Sequence, residues 1–566
     1  MEYKPTSQSI RKRCIKVISA IFLLLPITAS AHLISITATK PFPATVAAFS
    51  STSATFTVTN MTTKVSVTVI DQSSFPSGLS ISSSTCGNLL APGQSCTIQL
   101  VLNAESTGKT ISTALKEWAK PSADAVQYPI NITVTSGIPS LTLVPVNSSK
   151  LPALRDPVVA KNASNWLIVS GSLIAFHDFT NVFNSDIYVY NPVTTQIDSV
   201  NISSTNLPVA VQNQLASSDP EFLQDGDTLY IIGGFYNVPN TATFITLNTI
   251  TAINVPGMIR AVMNHETNLA PYVNYNTSIP EFQVTGGQLG KIGNYFYLAY
   301  GQRCEGFYCG TLQAYTNTIY QFSADPSLSS ITIVNSVRHN ALDGSGWRRR
   351  DYSLAPFKLG NTDTLFALGG PFTPGNFALV WTNGINFNSN LQSNDNFINQ
   401  QANQYLSPHL SMYSANSNTS YVASFSGLSN LYWGANGLVF DNTTPYGNVM
   451  DLISADASGN VQEYANLQPL CSGQPLASCL YMGLSAEFIQ APSQNYDNRF
   501  ILQLDQLPQT TPTLVGYIYG GLLSPSQTIF GTNQSYVTNQ VYAVYVVPTG
   551  SNTVSWKNIT NLYPGN

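Results

Sequence analysis

The chain is short of charge. Asp, Glu, Lys and Arg make up 9% of its 566 residues, against a typical ~25%. That excludes both the charge-rich composition of a disordered chain and the Ala/Glu/Lys/Leu composition of a helical one. Histidine is scarce, at five residues; His177, His265, His339 and His409 stand isolated, with no metal-ligand spacing. Long apolar runs are missing too. The run Val17 to Ile27 is too short to span a bilayer, and no later stretch comes near the ~20 residues a transmembrane helix needs. There is no G-x-S-x-G elbow, phosphate-binding glycine loop, H-E-x-x-H helix or EF-hand loop. What is there is Ser, Thr, Asn and Gln, with 29 Tyr, 26 Phe, 37 Gly and 33 Pro. This composition reads as many short strands joined by tight turns, an all-β chain.

Arg11, Lys12, Arg13 and Lys16 precede the apolar run, and Ala29-Ser30-Ala31 follows it. That order is the pattern of a signal peptide over residues 1–31, so the protein is expected to be exported, to the periplasm, cell surface or medium. Its removal leaves 18 basic and 27 acidic residues, a net charge of −9. Nucleic acid and anionic membrane are therefore not expected partners. Cys14 leaves with the peptide. The six remaining cysteines form close pairs, Cys86 with Cys96, Cys304 with Cys309 and Cys471 with Cys479. In an oxidising compartment these read as three disulfides, and no nearby histidine completes a zinc site. His32 would become the N-terminus, but residues 33–136 offer no second histidine for a copper brace.

Residues 32–136 form the first unit. Ala54 to Asn60, Val65 to Ile70, Cys96 to Leu102 and Ile130 to Val134 alternate apolar and polar, as half-buried strands do. Strands about every ten residues fit a seven-strand sandwich. The stretch Cys86-Gly-Asn-Leu-Leu-Ala-Pro-Gly-Gln-Ser-Cys96 resembles the C-G-x-L-x-P-G-x-S-C turn of bacterial Ig-like modules. The resemblance implies an Ig-like β-sandwich and a spacer role. Leu115 to Lys120 (LKEWAK) reads as a short helical insertion, and residues 137–150 as a linker with one strand.

Residues 151–566 repeat. Each unit has an apolar strand ending in glycine, then a loop, then a Tyr-rich strand. Trp166 to Phe176 leads to Asp186 to Pro192, Thr228 to Gly234 to Ala242 to Leu247, and Tyr295 to Gly301 to Asn317 to Phe322. Thr364 to Gly370 leads to Phe377 to Trp381, Tyr421 to Gly427 to Gly437 to Phe440, and Gly516 to Gly521 to Asn539 to Tyr545. This pattern resembles the kelch repeat, whose second strand ends in Gly-Gly and whose third carries a Tyr. The resemblance implies a six-bladed β-propeller, or seven blades if residues 441–480 hold another hairpin. Glycines at these ends let neighbouring backbone approach closely.

In such a propeller the first strand of each unit lines a central channel. Aligning the units places Asp156, Glu221, Glu281, Asp351, His409 and Glu487 near the starts of these strands, as a mostly acidic ring. Beside it runs Trp347-Arg348-Arg349-Arg350-Asp351-Tyr352, the densest charge in the mature chain. Arg349, Arg350 and Tyr352 could grip a carboxylate or sulfate, or the arginines could neutralise the ring. No cofactor is expected, though a structural calcium in the ring fits its acids. Sialidases also use six blades, but their S-x-D-x-G-x-x-W turns are missing here, and the copper site of galactose oxidase needs a free cysteine. The expected function is non-catalytic binding of a protein or carbohydrate on a propeller face. The alternative is a carbohydrate-active hydrolase, lyase or mutarotase working at the channel mouth.

Overall fold

A computed structural model describes residues 33–562, apart from segments 48–50, 88, 105–109, 121–124, 136–137, 177–181, 239–240, 242, 307–308, 341–345, 375, 471–478, 493–494, 510, 530–534 and 549–555. The expected signal peptide, His32, His177 and Cys471 lie outside the described residues. The chain is all-β and falls into two units, Met1–Glu105 with Thr110–Thr133, and Ser106–Lys109 with Val134–Asn566.

The first unit holds two antiparallel sheets. One orders Ile34–Lys40, Ser51–Asn60, Ser95–Asn103 and Leu79–Ser84; the other orders Thr45–Ala47, Val126–Thr135, Thr110–Lys120, Ser66–Asp71 and Leu89–Leu90. Alternation places Ala54, Phe56 and Val58 inward on one strand, and Ile98, Leu100 and Leu102 inward on its partner. Cys86 and Cys96 are joined, with their Cα atoms 5.1 Å apart. The helix expected at 115–120 is instead part of the strand Thr110–Lys120. It is paired on both sides, opposite Ser66–Asp71 and Val126–Thr135. Leu115 and Glu117 are buried while Lys116 between them is not, a period of two. Pairing on both edges overrides the helical preference of Leu, Lys, Glu and Ala.

Among the described residues the second unit has six sheets built on four antiparallel strands each; the fifth is extended by Leu502–Gln503, parallel to its first strand, and by Trp556–Asn558, and the sixth by Tyr536–Val537. Sheet one is Val158–Lys161, Trp166–Val169, Asp186–Tyr190 and Ile197–Asn201; sheet two is Glu221–Asp225, Thr228–Ile232, Ile250–Asn254 and Val273–Asn276. Sheet three is Gln288–Ile292, Tyr295–Ala299, Thr318–Ala324 and Ile331–Arg338; sheet four is Ser353–Leu359, Thr362–Leu368, Asn383–Asn388 and Ser393–Asn399. Sheet five is His409–Ser414, Thr419–Phe425, Met450–Asp456 and Val461–Asn466. Sheet six is Tyr481–Gln490, Thr513–Ser524, Val541–Val547 and Ser140–Val146. Spatial order follows sequence order except in sheet six, whose last strand comes from the start of the unit. The expected linker at 137–150 therefore carries a structural strand, in register with Val541–Val547 from Ser140↔Val547 to Val146↔Val541.

Three expected third strands are corrected. Phe244–Thr246, Asn376–Val380 and Gly437–Phe440 close small side hairpins with Phe235–Asn237, Pro371–Thr373 and Leu431–Gly434. A fourth such hairpin joins Gln302–Glu305 to Leu312–Tyr315 and carries the Cys304–Cys309 disulfide. The true third strands follow each insertion. Residues 441–480 supply the third and fourth strands of sheet five rather than a further sheet.

Aromatic side chains fill the spaces between neighbouring sheets. Trp166 of sheet one meets Tyr517 and Tyr519 of sheet six, and Tyr230 of sheet two meets Phe296 of sheet three. Glycine permits the close approach of backbone. A Cβ on Gly233 would lie 2.0 Å from the Val284 carbonyl oxygen, and one on Gly369 2.1 Å from that of Gln404; both have φ near +67°, at +65° and +69°. Two α-helices, Val209–Leu215 and Val255–Met263, bury apolar side chains in a core shared with sheets one and two, the second packing on Trp166–Val169, Asp186–Tyr190 and Ile197–Asn201. Among the described residues no helix is long and apolar enough to cross a membrane.

Candidate functional site

At the start of the first strand of each sheet in the second unit lies a residue in the left-handed conformation, just before the strand in five sheets and, in the sixth, within it beside the irregularity between Tyr481 and Leu484. These are Asp156, Asp219, Gly286, Asp351, Leu406 and Ser485, with φ of 52°, 55°, 68°, 52°, 49° and 57°. Left-handed backbone is costly for all but glycine, so six occurrences at matching places need a common cause. The cause is a shared hydrogen-bond pattern. Gly286 N–H donates to Asp219 O at 3.4 Å, Asp351 to Gly286 at 2.8 Å, Leu406 to Asp351 at 3.2 Å, Ser485 to Leu406 at 2.7 Å and Asp156 to Ser485 at 3.0 Å. Sheets one and two are linked by Gly171 N–H to Ser217 O at 2.9 Å, and sheets six and one again by Gly521 N–H to Leu154 O at 2.7 Å. Each sheet is thus tied to the next, and the sixth to the first.

From these six positions the first strands run alongside a cavity of about 430 Å³. Strand alternation fixes what faces it. Three residues on come Val159, Phe222, Leu289, Leu354, His409 and Phe488, a girdle that is apolar but for one histidine. Five residues on come Lys161, Gln224, Lys291, Pro356, Ser411 and Gln490, a polar rim about 16 Å from the ring at ~3.3 Å per residue. Burial holds His409 neutral, with its pKa lowered to about 4. Burial also lowers that of Lys161.

The ring end is charge-balanced. Arg155 Nε donates to Asp156 Oδ2 at 3.1 Å, and Arg350 Nη1 lies 3.2 Å from Asp351 Oδ2. The same Arg-Asp pair thus stands at equivalent places in sheets one and four. Asp219 is held well above the usual carboxylate range by burial and by the charges of Asp351, Asp156 and Glu221, against the pull of Arg350. A Cβ on Gly286 would sit 2.7 Å from Asp351 Oδ1 and 3.3 Å from Asp219 Oδ2, so the glycine makes room for both acids.

Of the ring residues expected from sequence, Asp156 and Asp351 hold equivalent positions. Glu221 lies two residues past its ring position, on the strand face turned from the cavity, where its Oε1 accepts from Gly287 N–H at 2.7 Å. Burial lifts it to about 8. Glu487 is its equivalent in sheet six, likewise lifted to about 8, chiefly by burial and then by Asp156. Its residue borders the cavity. His409 belongs to the girdle rather than the ring. Glu281 is not brought to the site at all: it sits in a 3-10 turn, Pro280–Phe282, and Gly286 takes the ring position. The alignment slipped because three of the six positions are Gly, Leu and Ser. Asp219, missed as a site residue, was signalled by the repeated Asp-Pro of Asp156-Pro157 and Asp219-Pro220.

The arginine run is split three ways. Arg348 donates to Phe372 O at 2.6 Å and stacks on Tyr315, 3.8 Å from the ring centroid. Arg349 is fully buried and spends its donors on the carbonyls of Gly346, Ala367 and Asn383 and on Asn383 Oδ1. Arg350 pairs with Asp351 and lies over Phe372. Tyr352 is buried, its hydroxyl donating to Ala299 O at 2.7 Å. Arg349 and the Tyr352 hydroxyl therefore spend their polar groups on the fold, while Tyr352 also borders the cavity. As for metals, one set of three potential ligands lies close together among the described residues: Cys86, Cys96 and Glu117 in the first unit, where the two sulfurs are bonded to each other. The ring aspartates form no such set.

No protein-family model matches the chain, and no curated protein matches it. Among solved structures, the VesB protease of Vibrio cholerae aligns at 18% identity over 18% of this chain and 31% of its own, with a TM-score of 0.15. The secreted serine protease VesC of Vibrio cholerae aligns at 13% identity over 29% of this chain and 43% of its own, with a TM-score of 0.16. The chain spans less than half the length of either protein, and likeness at this level bears on neither fold nor function.

Proposed function

We propose that this is an exported, non-catalytic binding protein, with an Ig-like sandwich followed by a six-bladed, kelch-like β-propeller whose channel takes a carbohydrate. The propeller reading rests on the chain of backbone hydrogen bonds from Asp219 through Gly286, Asp351, Leu406 and Ser485 to Asp156, with Gly171 to Ser217 joining sheets one and two. Export is supported by the disulfides Cys86–Cys96 and Cys304–Cys309. The binding reading rests on one observation above others: the charges nearest the cavity mouth are paired with one another. Arg155 is paired with Asp156 and Arg350 with Asp351, so Asp219 is, among the described residues, the ring acid without an arginine pair, and Arg349 and the Tyr352 hydroxyl are bound to backbone. Sugar is favoured by the lining. Phe222 and Phe488 offer ring faces, and Ser411, whose hydroxyl meets no partner among the described residues, offers a hydrogen-bond group beyond them.

A glycan array probed with the mature protein, beside Phe222→Ala and Ser411→Ala, tests this. The expected result is binding to a restricted set of oligosaccharides that both substitutions weaken, with the bound sugar recovered intact. Recovery of cleaved or epimerised sugar would replace the binding reading with the enzymatic one. Binding of no glycan would turn the search to a protein partner.

A further inference from the structure

The first unit buries a carboxylic acid against its disulfide. Glu117 is completely buried; the Thr68 hydroxyl lies beside its carboxyl, and its oxygens lack the full set of hydrogen-bond partners a carboxylate takes. A carboxyl oxygen of Glu117 and the sulfurs of Cys86 and Cys96 all lie within 4.8 Å of one another. A sandwich core does not need an acid there, and a buried polar group short of partners is costly. The disulfide has an open side and a closed one. Cys86 is partly exposed, whereas Cys96 is 4% exposed and faces the interior with Glu117.

We propose that Cys86–Cys96 is an exchangeable disulfide and that Glu117 is its proton relay. A thiolate attacks Cys86 Sγ, the accessible sulfur, forming a mixed disulfide. The Cys86–Cys96 bond breaks and its electron pair leaves on Cys96 Sγ. That sulfur takes the proton of the Glu117 carboxyl, so no thiolate is stranded in the apolar core, where burial would disfavour it. A second thiolate then attacks the mixed disulfide and releases Cys86. Two external thiols are oxidised to one disulfide, and the protein disulfide is reduced to two thiols. In the reverse direction the Glu117 carboxylate takes the proton from Cys96 and makes the attacking thiolate. The external reactant is a small thiol or a thiol–disulfide exchange protein.

The surroundings suit that role. Burial raises the Glu117 carboxyl to about 7, against a smaller opposing pull from the Thr68 hydroxyl. Thr68 also lies beside the disulfide, its Oγ1 4.0 Å from Cys96 Sγ. Opposite Glu117 in the sheet stand Ile70 and Val126, neither titratable. Lys116 and its partner Asp71 sit one residue along, on the other face of the sheet. On the same face, Tyr128 packs on Phe56. Glu117 therefore exchanges its proton with the sulfurs rather than with a charged neighbour.

The test is the rate of reduction by dithiothreitol between pH 5 and 9, corrected for the thiolate fraction of the reagent. Alkylation and mass spectrometry would resolve Cys86–Cys96 from Cys304–Cys309 in one sample. In the wild-type protein the corrected rate for Cys86–Cys96 should carry an inflection near pH 7 that Cys304–Cys309 lacks. Glu117→Gln should remove the inflection and slow reduction at pH 6.5 by about tenfold or more, within the range of general acid catalysis. Corrected profiles that are flat for both disulfides in the wild type overturn the proposal, whether or not the variant folds. So does a variant whose profile matches the wild type.

Discussion

The backbone amide of Asp156 donates to the carbonyl of Ser485 at 3.0 Å, which ties the first sheet of the second unit to the sixth. The residues come from opposite ends of that unit. The same junction is reinforced by Ser140–Val146, which completes sheet six from the N-terminal side. Ties of this kind between sheets depend on backbone geometry, and glycine supplies that geometry at the crowded points.

Gly369→Ala should therefore be far more damaging than Gly293→Ala. Both glycines have positive φ, but a Cβ at Gly369 meets the Gln404 carbonyl at 2.1 Å, while one at Gly293 meets nothing within 4 Å. The left-handed conformation alone costs about 1–2 kcal/mol, the loss expected at Gly293. Gly369→Ala should lose clearly more. Urea denaturation of the two variants gives the comparison, and equal losses would argue against close packing at the sheet junctions.

Arg349→Met should destabilise the second unit by about 3 kcal/mol or more. The substitution leaves the buried carbonyls of Gly346, Ala367 and Asn383 without their donor. Glycan binding at saturating ligand should survive in the folded fraction. Loss of binding with no loss of stability would instead return Arg349 to a ligand-contacting role.

Stability should fall as pH rises from 6.5 to 8. Glu221 and Glu487 have folded-state pKa values near 8, raised above the unfolded carboxyl range. The folded state thus holds protons that the unfolded state has lost, and each costs about 1.4 kcal/mol per pH unit in that window. His409 acts the other way. Its pKa, lowered to about 4, makes the unfolded state the better proton binder between pH 4 and 6.5. The two effects oppose below 6.5, and only the carboxyls act above it. Calorimetric melting across this range should show the decline, and Glu221→Gln with Glu487→Gln should make it shallower, the remainder coming from other buried carboxyls such as Asp219.

Strand content was legible because it is local. Alternation in Ser51–Asn60 and the glycine ends at Gly233-Gly234 and Gly369-Gly370 are written in consecutive residues. The side hairpins were not legible. Phe244–Thr246 and Gly437–Phe440 have the composition of sheet strands, and only pairing partners distinguish them. Glu117 was hidden for a related reason: Leu115 to Lys120 favours helix locally, and its neighbours on both edges decide otherwise. The ring was half legible. The Arg-Asp pairs at 155–156 and 350–351 mark it in sheets one and four, but Gly286, Leu406 and Ser485 share only a backbone conformation, which side-chain identity does not reveal.

The central claim is that the channel between the six first strands is where ligand binds. Leu289→Trp tests it most directly, because Leu289 stands midway along the cavity and an indole there would occlude it. Titration calorimetry of the variant against the array's best glycan is predicted to show no binding, with a melting temperature close to that of the wild type. An unchanged Kd in a channel-filled, stably folded variant would contradict the account and move the site elsewhere on the protein.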